Sequence, residues 1–423
     1  MSTTDRTSGR HRPRGTAEPV GSRPGHGQGH GHGHGPAPPA SRRVQLLLVA
    51  VLVPVALATL VGLWLTWPGA TPRTEADIGF GERPVHGNVV AAAAGPCTSG
   101  AAAGGQAKAC VSLSVQLTDG DSPGVTIQQV LPDEPSTPRF AVGDRVVLGY
   151  TGGNPSDPGS YEIQDFQRGT SMLWLAALFA AAVLLLGRWR GLASLIALGF
   201  SFLVLVVYLF PAILTGGNPV IVGVLAASVI MFGVLYLTHG VSARTSTAVL
   251  GTVLSLALIG ALGTAFSAAT QLTGLDEDTG NLIRVLGHGV DARGLLLAGM
   301  IIGALGVLDD VTVTQTSAVW ELRRANPALG ARALYTAALR IGRDHISSAV
   351  NTLALAYAGA ALPVLLTFSL SGQSFGTLVT AQNVAQEVVR TLVGSIGLVA
   401  AVPITTAIAA VVARREYLDP AQH

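Results

Sequence analysis

The chain has little charge, few aromatic residues and only two cysteines. Charged residues make up 12% of its 423 residues and aromatic residues 5%, whereas hydrophobic residues make up 49%. Soluble domains usually carry about 25% charged residues, so this composition excludes an ordinary soluble enzyme and is typical of a membrane protein. The net charge of +2 comes without a long basic run, so nothing indicates a nucleic-acid partner.

Several catalytic signatures are also missing. The sequence has no Walker loop ending in Gly-Lys-Ser/Thr, no His-Glu-x-x-His pair and no Rossmann Gly-x-Gly-x-x-Gly fingerprint. We therefore expect neither an enzyme nor a bound cofactor. Any transport would have to be driven by a gradient or by a partner protein.

What the chain does have is long apolar runs, about eight of which approach the roughly 20 residues that cross a bilayer. They lie at 44–66, 171–187, 191–210, 219–237, 246–268, 294–309, 346–369 and 391–412. The sequence therefore predicts an α-helical polytopic protein, with a first transmembrane helix at 44–66 and a bundle of about seven more over 171–412. The first run exceeds the 7 to 15 apolar residues of a cleavable signal peptide, which favours an uncleaved anchor.

Basic residues predict the orientation of these helices. They cluster on alternate loops, at Arg42 and Arg43, Arg188 and Arg190, Arg244, 323–343, and Arg414 and Arg415. Because such clusters stay on the cytoplasmic side, we expect a multi-pass protein of the plasma membrane with both termini in the cytoplasm. The lipid bilayer is its first expected partner.

Both ends of the chain are predicted to be tails. Residues 1–41 are rich in His, Gly and Pro and have almost no large apolar side chain, so we expect a disordered cytoplasmic tail. Its histidines His26, His30, His32 and His34 suit a transition metal, although a low-complexity linker with adventitious metal affinity is the favoured interpretation. Residues 413–423 form the second cytoplasmic tail.

A small β domain is predicted at 70–168, outside the cytoplasm and between the first two helices. Alternating runs punctuated by Gly, Pro, Asn and Asp predict five short strands, at 85–90, 109–117, 125–130, 145–150 and 161–163. Their number suggests a small all-β barrel of the oligonucleotide/oligosaccharide-binding (OB) type. Cys97 and Cys110 fall inside this exported domain, which favours a disulfide over two free thiols.

Two adjacent carboxylates, Asp309 and Asp310, close the sixth apolar run. Beyond them, helical spacing places polar residues on one stripe and apolar residues opposite, which predicts an amphipathic helix at 311–325 near the cytoplasmic surface. A step of about 100° per residue separates the two aspartates, leaving Asp309 as the inward-facing one. Carboxylates at this position cost a few kcal/mol, roughly 2.5 to 3.5, unless they are paired or hydrated.

A binding site for a proton or a cation is one interpretation of this region. Its residues are Asp309, Asp310, Thr312, Gln315, Asn351 and Thr352. Structural pairing of the aspartates with nearby arginines is the other, and His345 is more often an interfacial histidine than a titrating one. In the last run, Glu387 and Arg390 are three residues apart on a helix and form a structural or gating pair.

Three segments resemble the YibE/F family of bacterial multi-spanning membrane proteins: 302–315 with Trp320-Glu321-Leu322, 345–353, and 387–398 with Pro403. The resemblance covers roughly 75–420 and implies a small exported β domain on a helical bundle, without an activity that can be carried over. The layout is also similar, more weakly, to the ion-driven SecD/SecF proteins. That similarity implies only a layout, because a fold does not determine a function.

Two functions follow as expectations. The first is an ion- or proton-coupled transporter, or a transport-associated protein, in which Asp309 or Asp310 faces a hydrated cavity near Asn351 or Thr352. The second is a non-enzymatic scaffold or assembly factor whose exported β domain recruits an envelope protein partner.

Overall fold

Within the part of the chain that the structure describes, six helical elements are long and apolar enough to cross a membrane, so the protein is a membrane protein. The structure, a computed structural model, describes residues 42–69, 83–97, 109–286, 290–370, 372 and 374–416. The six elements are Arg42–Leu65, Gly169–Leu214, Pro219–His239, Ala243–Ala269, Ala292–Ala325 and Gln382–Glu416. The histidine-rich tail, residues 70–82 and residues 417–423 lie outside the described residues.

The helices are numbered here in chain order. They are α1 Arg42–Leu65, α2 Gly169–Val204, α3 Phe210–Leu214, α4 Pro219–His239, α5 Ala243–Ala269, α6 Glu277–Leu286, α7 Ala292–Ala325, α8 Ala331–Ala360, α9 Leu362–Leu370, α10 Phe375–Thr380 and α11 Gln382–Glu416. A π-helical stretch, Leu205–Leu209, joins α2 to α3. Side-chain caps begin several helices: Asn218 accepts hydrogen bonds from the first amides of α4, and Asp291 accepts one from Gly294 in α7.

The chain turns sharply inside α2, at Arg188. This residue has φ 50° and ψ −127°, far from helical values. A Cβ atom on Gly191 would lie 2.3 Å from the carbonyl oxygen of Val183, a contact that a straight helix does not make. The turn coincides with the basic loop expected between the second and third apolar runs. Both of those runs therefore fall in the one element Gly169–Leu214.

The predicted count of about eight spans is larger than the six elements that qualify. Besides the shared second element, the predicted run at 346–369 is divided between α8 and α9, with Ala361 between them. Arg340, Arg343 and Asp344 lie near the middle of α8 and lower its hydropathy, so α8 is not among the six.

Helix α7 does not stop at the aspartates. It runs unbroken from Ala292 to Ala325, where Asn326 and Pro327 follow. Residues beyond the aspartates, including Val311, Val319 and Trp320, are buried in the bundle. The helix predicted at 311–325 is therefore the second half of α7, with its apolar side packed against protein.

Helices α5, α7 and α11 form the centre of the bundle. About half of the most apolar window of α7 and α11 is buried, 56% and 50%, against 17% for α1. One cluster of buried side chains joins these three helices through Ile259, Leu308 and Leu398. The exposed apolar residues of α1 and α2 are those expected to face lipid.

The β domain is one curled antiparallel sheet. Its strands are β1 Arg83–Pro96, β2 Ala109–Leu117, β3 Thr126–Pro132, β4 Arg145–Tyr150 and β5 Tyr161–Phe166, in the order β3-β2-β1-β4-β5. Alternate residues such as Val85, Val89, Leu113 and Val115 are buried on one face, as strand periodicity requires.

A side chain links the two edges of this sheet. Gln129 on β3 donates from Nε2 to the carbonyl oxygens of Pro158 and Tyr161, each at 2.7 Å. No backbone ladder joins β3 to β5 within the described strands. The OB-type barrel therefore stays a prediction, while the curled sheet is observed. Cys97 and Cys110 form a disulfide between the end of β1 and the start of β2.

Candidate functional site

Asp309 and Asp310 lie on different sides of α7. Asp309 is partly buried, and its Oδ1 atom is enclosed without a hydrogen-bond partner among the described residues. The side chain of Asp310 is instead 75% exposed, and its Oδ2 lies 3.7 Å from Nε2 of His345 on α8. Of the two aspartates, only Asp309 therefore carries a carboxylate oxygen that is enclosed by protein without a hydrogen bond from the described residues.

The position of Asp309 along α7 differs from the predicted one. The helix has 34 residues, so Asp309 lies about 25 Å from either end at 1.5 Å per residue. The sequence instead predicted a span that ends at this residue. The difference arises because the polar stripe beyond Asp309 occupies only one side, and the other side continues to pack.

A layer of buried polar side chains lies next to Asp309, one to two turns further along α7. The Thr312 hydroxyl is 2.9 Å from the hydroxyl of Thr252 on α5. Gln315 accepts a 2.9 Å hydrogen bond through Oε1 from Thr406 on α11. These residues, with Thr405 beside Thr406, form what we call the polar layer, and all five have zero exposure.

The polar layer is not fully hydrogen-bonded. Nε2 of Gln315 and Oγ1 of Thr405 are buried without a partner among the described residues. A buried polar atom without a hydrogen bond costs about 1 to 3 kcal/mol, so such atoms are rare unless they meet water, an ion or a ligand. Three such atoms therefore lie in the middle of the bundle: Nε2 of Gln315, Oγ1 of Thr405 and Oδ1 of Asp309.

Glycines allow the helices to approach closely at this level. A Cβ atom on Gly251 would lie 2.3 Å from Oγ1 of Thr405, and one on Gly342 would lie 2.8 Å from Nε2 of Gln315. Any larger side chain at Gly251 or Gly342 would push these groups apart. Gly251 therefore lets α5 approach α11, and Gly342 lets α8 approach α7.

The surrounding helices show how deep the polar layer lies. Thr252 and Thr406 are each eight residues from a basic residue near the end of their helix, Arg244 and Arg414. Eight residues correspond to about 12 Å along a helix. The contact between Thr252 and Thr312 brings α7 to the same level. Asp309 is three residues further from the basic ends, about 5 Å deeper in the bundle.

Two residues of the predicted site lie elsewhere. Asn351 and Thr352 on α8 are exposed, and the hydroxyl of Thr352 donates to the carbonyl oxygen of Ser348 in its own helix. Within the described part of the chain, no hydrogen bond joins either residue to Asp309 or Asp310. The predicted grouping of the aspartates with α8 is therefore limited to the approach of Asp310 to His345.

The predicted pair on α11 is formed. Glu387 accepts a 2.7 Å hydrogen bond from Nη1 of Arg390. The pair borders a cavity of about 660 Å³ between α8, α9 and α11. Arg390 is sixteen residues before Thr406 on α11, about 24 Å from the polar layer.

Sequence reasoning missed Thr252, Thr405 and Thr406. Single hydroxyls in apolar helices usually bond to their own backbone, and Thr252 and Thr406 do so as well, through Ala248 and Val402. Their second contacts depend on how neighbouring helices are aligned. A pattern within one helix therefore carries no signal for them.

The nucleophile-elbow pattern Gly-x-Ser-x-Gly occurs twice in the sequence, at 120–124 and at 372–376, where it reads Gly-Gln-Ser-Phe-Gly. Residues 120–124 read Gly-Asp-Ser-Pro-Gly, which satisfies Gly-x-Ser-x-Gly. The elbow requires a turn from a strand into a helix. Ser122 lies instead between β2 and β3, two strands of one hairpin, and Ser374 lies after helix α9 and caps α10, so neither match forms the elbow of a hydrolase.

No cluster of three or more His, Cys, Asp or Glu side chains suited to a metal occurs in the described ranges. The histidines His26, His30, His32 and His34 are outside those ranges, so their predicted metal affinity has no structural account here.

The family model described as YibE/F-like protein matches residues 175–415. The match includes all of α4, α5, α7, α8 and most of α11, and hence Asp309, the polar layer and the Glu387–Arg390 pair. It begins after the β domain. Comparison with curated proteins and with solved structures gives no match.

Proposed function

The chain belongs to the YibE/F-like family, and we propose that it is an ion- or proton-coupled transporter in which Asp309 is the coupling group. One observation carries the proposal: Oδ1 of Asp309 is enclosed in the bundle without a hydrogen-bond partner among the described residues. An ionised carboxylate in such surroundings is costly unless a proton, a cation or a donor compensates it. A proton or a cation at Asp309 supplies that compensation.

The polar layer provides a route to this carboxylate. The five residues of the polar layer lie between Asp309 and the basic ends of α5 and α11. Their hydroxyl and amide groups can coordinate an ion or relay a proton. Oγ1 of Thr405 can bond water or coordinate a cation, and Nε2 of Gln315 can donate a hydrogen bond to water. Transport requires two packing arrangements of α7. Ion binding at Asp309 shifts the balance between them only if the ion binds one arrangement more tightly than the other.

Orientation follows from the basic residues. We propose eight membrane crossings, counting the two halves of Gly169–Leu214 separately and including α8 with α9. The ends of α5 and α11 that carry Arg244, Arg414 and Arg415 then face the cytoplasm, and the β domain faces outward. Asp309 is reached from the cytoplasm through the polar layer. The cavity beside Arg390 belongs to the outer half of the bundle. We propose no enzymatic activity.

The proposal is tested by ion flux in proteoliposomes that contain the full chain. A pH gradient or a sodium gradient is imposed, and the movement of protons is followed with a pH-sensitive dye inside the vesicles. We expect flux in the parent protein and its loss in Asp309→Asn, since an amide cannot exchange a proton.

Asp310→Asn is the matched control for this experiment. It changes the neighbouring carboxylate, which is exposed, so flux is expected to stay close to that of the parent. Equal loss in both variants, or no flux above that of empty vesicles under either gradient, would contradict the proposal.

A scaffold function is the second candidate, and one feature of the β domain favours it. A cavity of about 290 Å³ lies on the sheet beside the edge strand β3. Its lining includes the apolar Leu113, Leu131 and Phe140 and the polar Asp133, Thr137 and Arg139. Edge strands and apolar cavities are common sites for binding an extended peptide. The proposed partner is an exported envelope protein.

Photo-crosslinking in intact cells tests this candidate. A crosslinking amino acid at Thr137, which lines the cavity, is expected to capture a defined partner, whereas the same amino acid at Glu162 on β5 is not. Deletion of residues 80–165 should remove the partner. Crosslinks of equal yield at both positions would count against the scaffold function.

A further inference from the structure

The cavity of about 660 Å³ between α8, α9 and α11 has the size of a small-molecule site. Ligand cavities in proteins usually measure about 300 to 1,000 Å³. It is separate from Asp309, which does not line it. Nothing in the proposed coupling step uses this cavity.

Two residues that line the cavity each have a buried N–H donor without a partner among the described residues. Gln386 is only 3% exposed, and its Nε2 atom is unsatisfied, as is Nε of Arg390. The two residues are one helical turn apart on α11 and therefore lie on the same side of that helix. Both line the cavity, and both unsatisfied atoms are N–H donors. A ligand at this place is expected to offer acceptor oxygens.

The charges at the cavity disfavour an anionic ligand. Arg390 is already bonded to Glu387 at 2.7 Å. Asp276 also lines the cavity, so its walls carry two carboxylates and one guanidinium, a formal excess of one negative charge. An additional carboxylate or phosphate would be repelled. The acceptor oxygens of the ligand are therefore uncharged, such as those of an ester, an amide or an alcohol.

Most of the remaining wall is apolar, with small residues on one side, and Tyr357, Asn383 and Thr391 add polar groups to it. Ala354, Ala358 and Ala360 leave space along α8, and Leu365 and Leu392 line the facing walls. An alkyl chain buries apolar surface in such a slot, which favours binding. In a membrane protein, the bilayer supplies molecules with this combination of parts.

We propose that this cavity binds a neutral amphipathic lipid, with its uncharged ester or hydroxyl oxygens at Gln386 and Arg390 and its acyl chain along the alanines of α8. Glu387 serves the site by holding the Arg390 guanidinium in place and cancelling its charge. The site selects against fatty acids and other anionic lipids because of the carboxylate excess. This binding does not depend on ion coupling at Asp309, so the two proposals are tested separately.

Photolabelling of the purified full chain in detergent tests the site. The probe is a monoacylglycerol with a diazirine on its acyl chain, and the labelled peptides are mapped by mass spectrometry. We expect the label on α8 and α11, and we expect unlabelled monoacylglycerol to compete with the probe far better than the ionised fatty acid of the same chain length.

Two pairs of variants separate the site from general lipid contact. Gln386→Leu removes one donor. It should weaken the competition of unlabelled monoacylglycerol with the probe by roughly 3- to 10-fold, the effect of one hydrogen bond. Gln382→Leu, one turn away and outside the cavity, should leave this competition unchanged. Ala358→Trp fills the cavity and should abolish labelling there. Ala356→Trp, on the same helix but not lining the cavity, should not.

The proposal is overturned if the label spreads over the lipid-facing helices and persists in Ala358→Trp. It is also overturned if the fatty acid competes as well as the monoacylglycerol, or if the two glutamine variants behave alike. Thermal unfolding of each variant identifies any that fail to fold. If Ala358→Trp does not fold, the comparison of Gln386→Leu with Gln382→Leu decides whether the cavity is a lipid site, because Leu and Gln have similar volumes.

Discussion

The hydroxyl oxygen of Thr252 on α5 lies 2.9 Å from the hydroxyl oxygen of Thr312 on α7, and both residues have zero exposure. This contact connects two central helices one turn from Asp309. It fixes the level at which α7 meets α5, and it places a hydroxyl pair between the aspartate and the basic end of α5. The proposed route for an ion therefore depends on how these two helices are aligned.

Thr252→Val and Thr312→Val test this contact. Each removes a hydroxyl and keeps the shape of the side chain, so we expect the free energy of unfolding to fall by about 0.5 to 1.5 kcal/mol. The double variant should lose less than the sum, with a coupling of roughly 0.6 kcal/mol as found between membrane helices. Thr264→Val is the control, because Thr264 is exposed and bonds only to Gly260 in its own helix. Strict additivity of the two central variants would show that the hydroxyls do not interact.

Close packing of α8 predicts different effects for two glycines. Gly342→Ala places a Cβ atom 2.5 Å from Val402 and 2.8 Å from Gln315. We therefore expect the free energy of unfolding to fall by about 1 to 3 kcal/mol. Gly359→Ala on the same helix meets nothing within 4 Å and should be neutral or stabilising, by roughly 0.5 to 1 kcal/mol. Denaturant titration of both variants measures the difference. Equal stability of the two would contradict the tight approach of α8 to α7.

The side chain of Gln129 should hold the β sheet closed. Gln129→Ala leaves the carbonyl oxygens of Pro158 and Tyr161 without their donor, a loss of about 1 to 3 kcal/mol. Hydrogen exchange followed by mass spectrometry should then show faster exchange in β3 and β5. Gln128→Ala, on the same strand and exposed, is expected to leave exchange unchanged. Unaltered protection of both strands in Gln129→Ala would mean that the edges do not depend on this link.

The disulfide should stabilise the same domain. Cys97 and Cys110 are 13 residues apart, and a loop of this length contributes roughly 3 kcal/mol when closed. Replacing both by alanine should therefore raise exchange in β1 and β2. Peptide mapping without a reducing agent should recover the two cysteines linked. Alkylation of both thiols in protein isolated from cells would contradict the bond and the proposed location of the β domain outside the cytoplasm.

Much of the architecture was predictable because it depends on local patterns. Apolar runs located the long helices, and alternation located all five strands, with β2 and β4 at their observed bounds. The sharp turn at Arg188 was predictable because two glycines and two arginines interrupt an otherwise continuous apolar stretch. Family membership was recognisable from the segment around Asp309, and the family match includes it.

The site was only partly predictable. Helical phasing separates Asp309 from Asp310, and the structure has one enclosed oxygen on Asp309 and an exposed Asp310. The polar layer could not be predicted, since the contacts of Thr252 and Gln315 join helices whose mutual alignment no single segment encodes. The continuation of α7 was missed because charged and polar residues after Leu308 suggested an exit from the membrane. Asp310 and Glu321 are indeed exposed, but the opposite side of the helix stays buried and carries polar residues such as Gln315 into the bundle.

Infrared difference spectroscopy on the reconstituted full chain tests the role of Asp309 most directly. The carboxylic acid band is recorded as the external pH is changed in the presence and absence of sodium. We expect a band that disappears as protons or sodium exchange at Asp309, that is missing in Asp309→Asn and that is kept in Asp310→Asn. A carboxylic acid signal that is identical in the parent and in Asp309→Asn under every condition would contradict coupling at this residue.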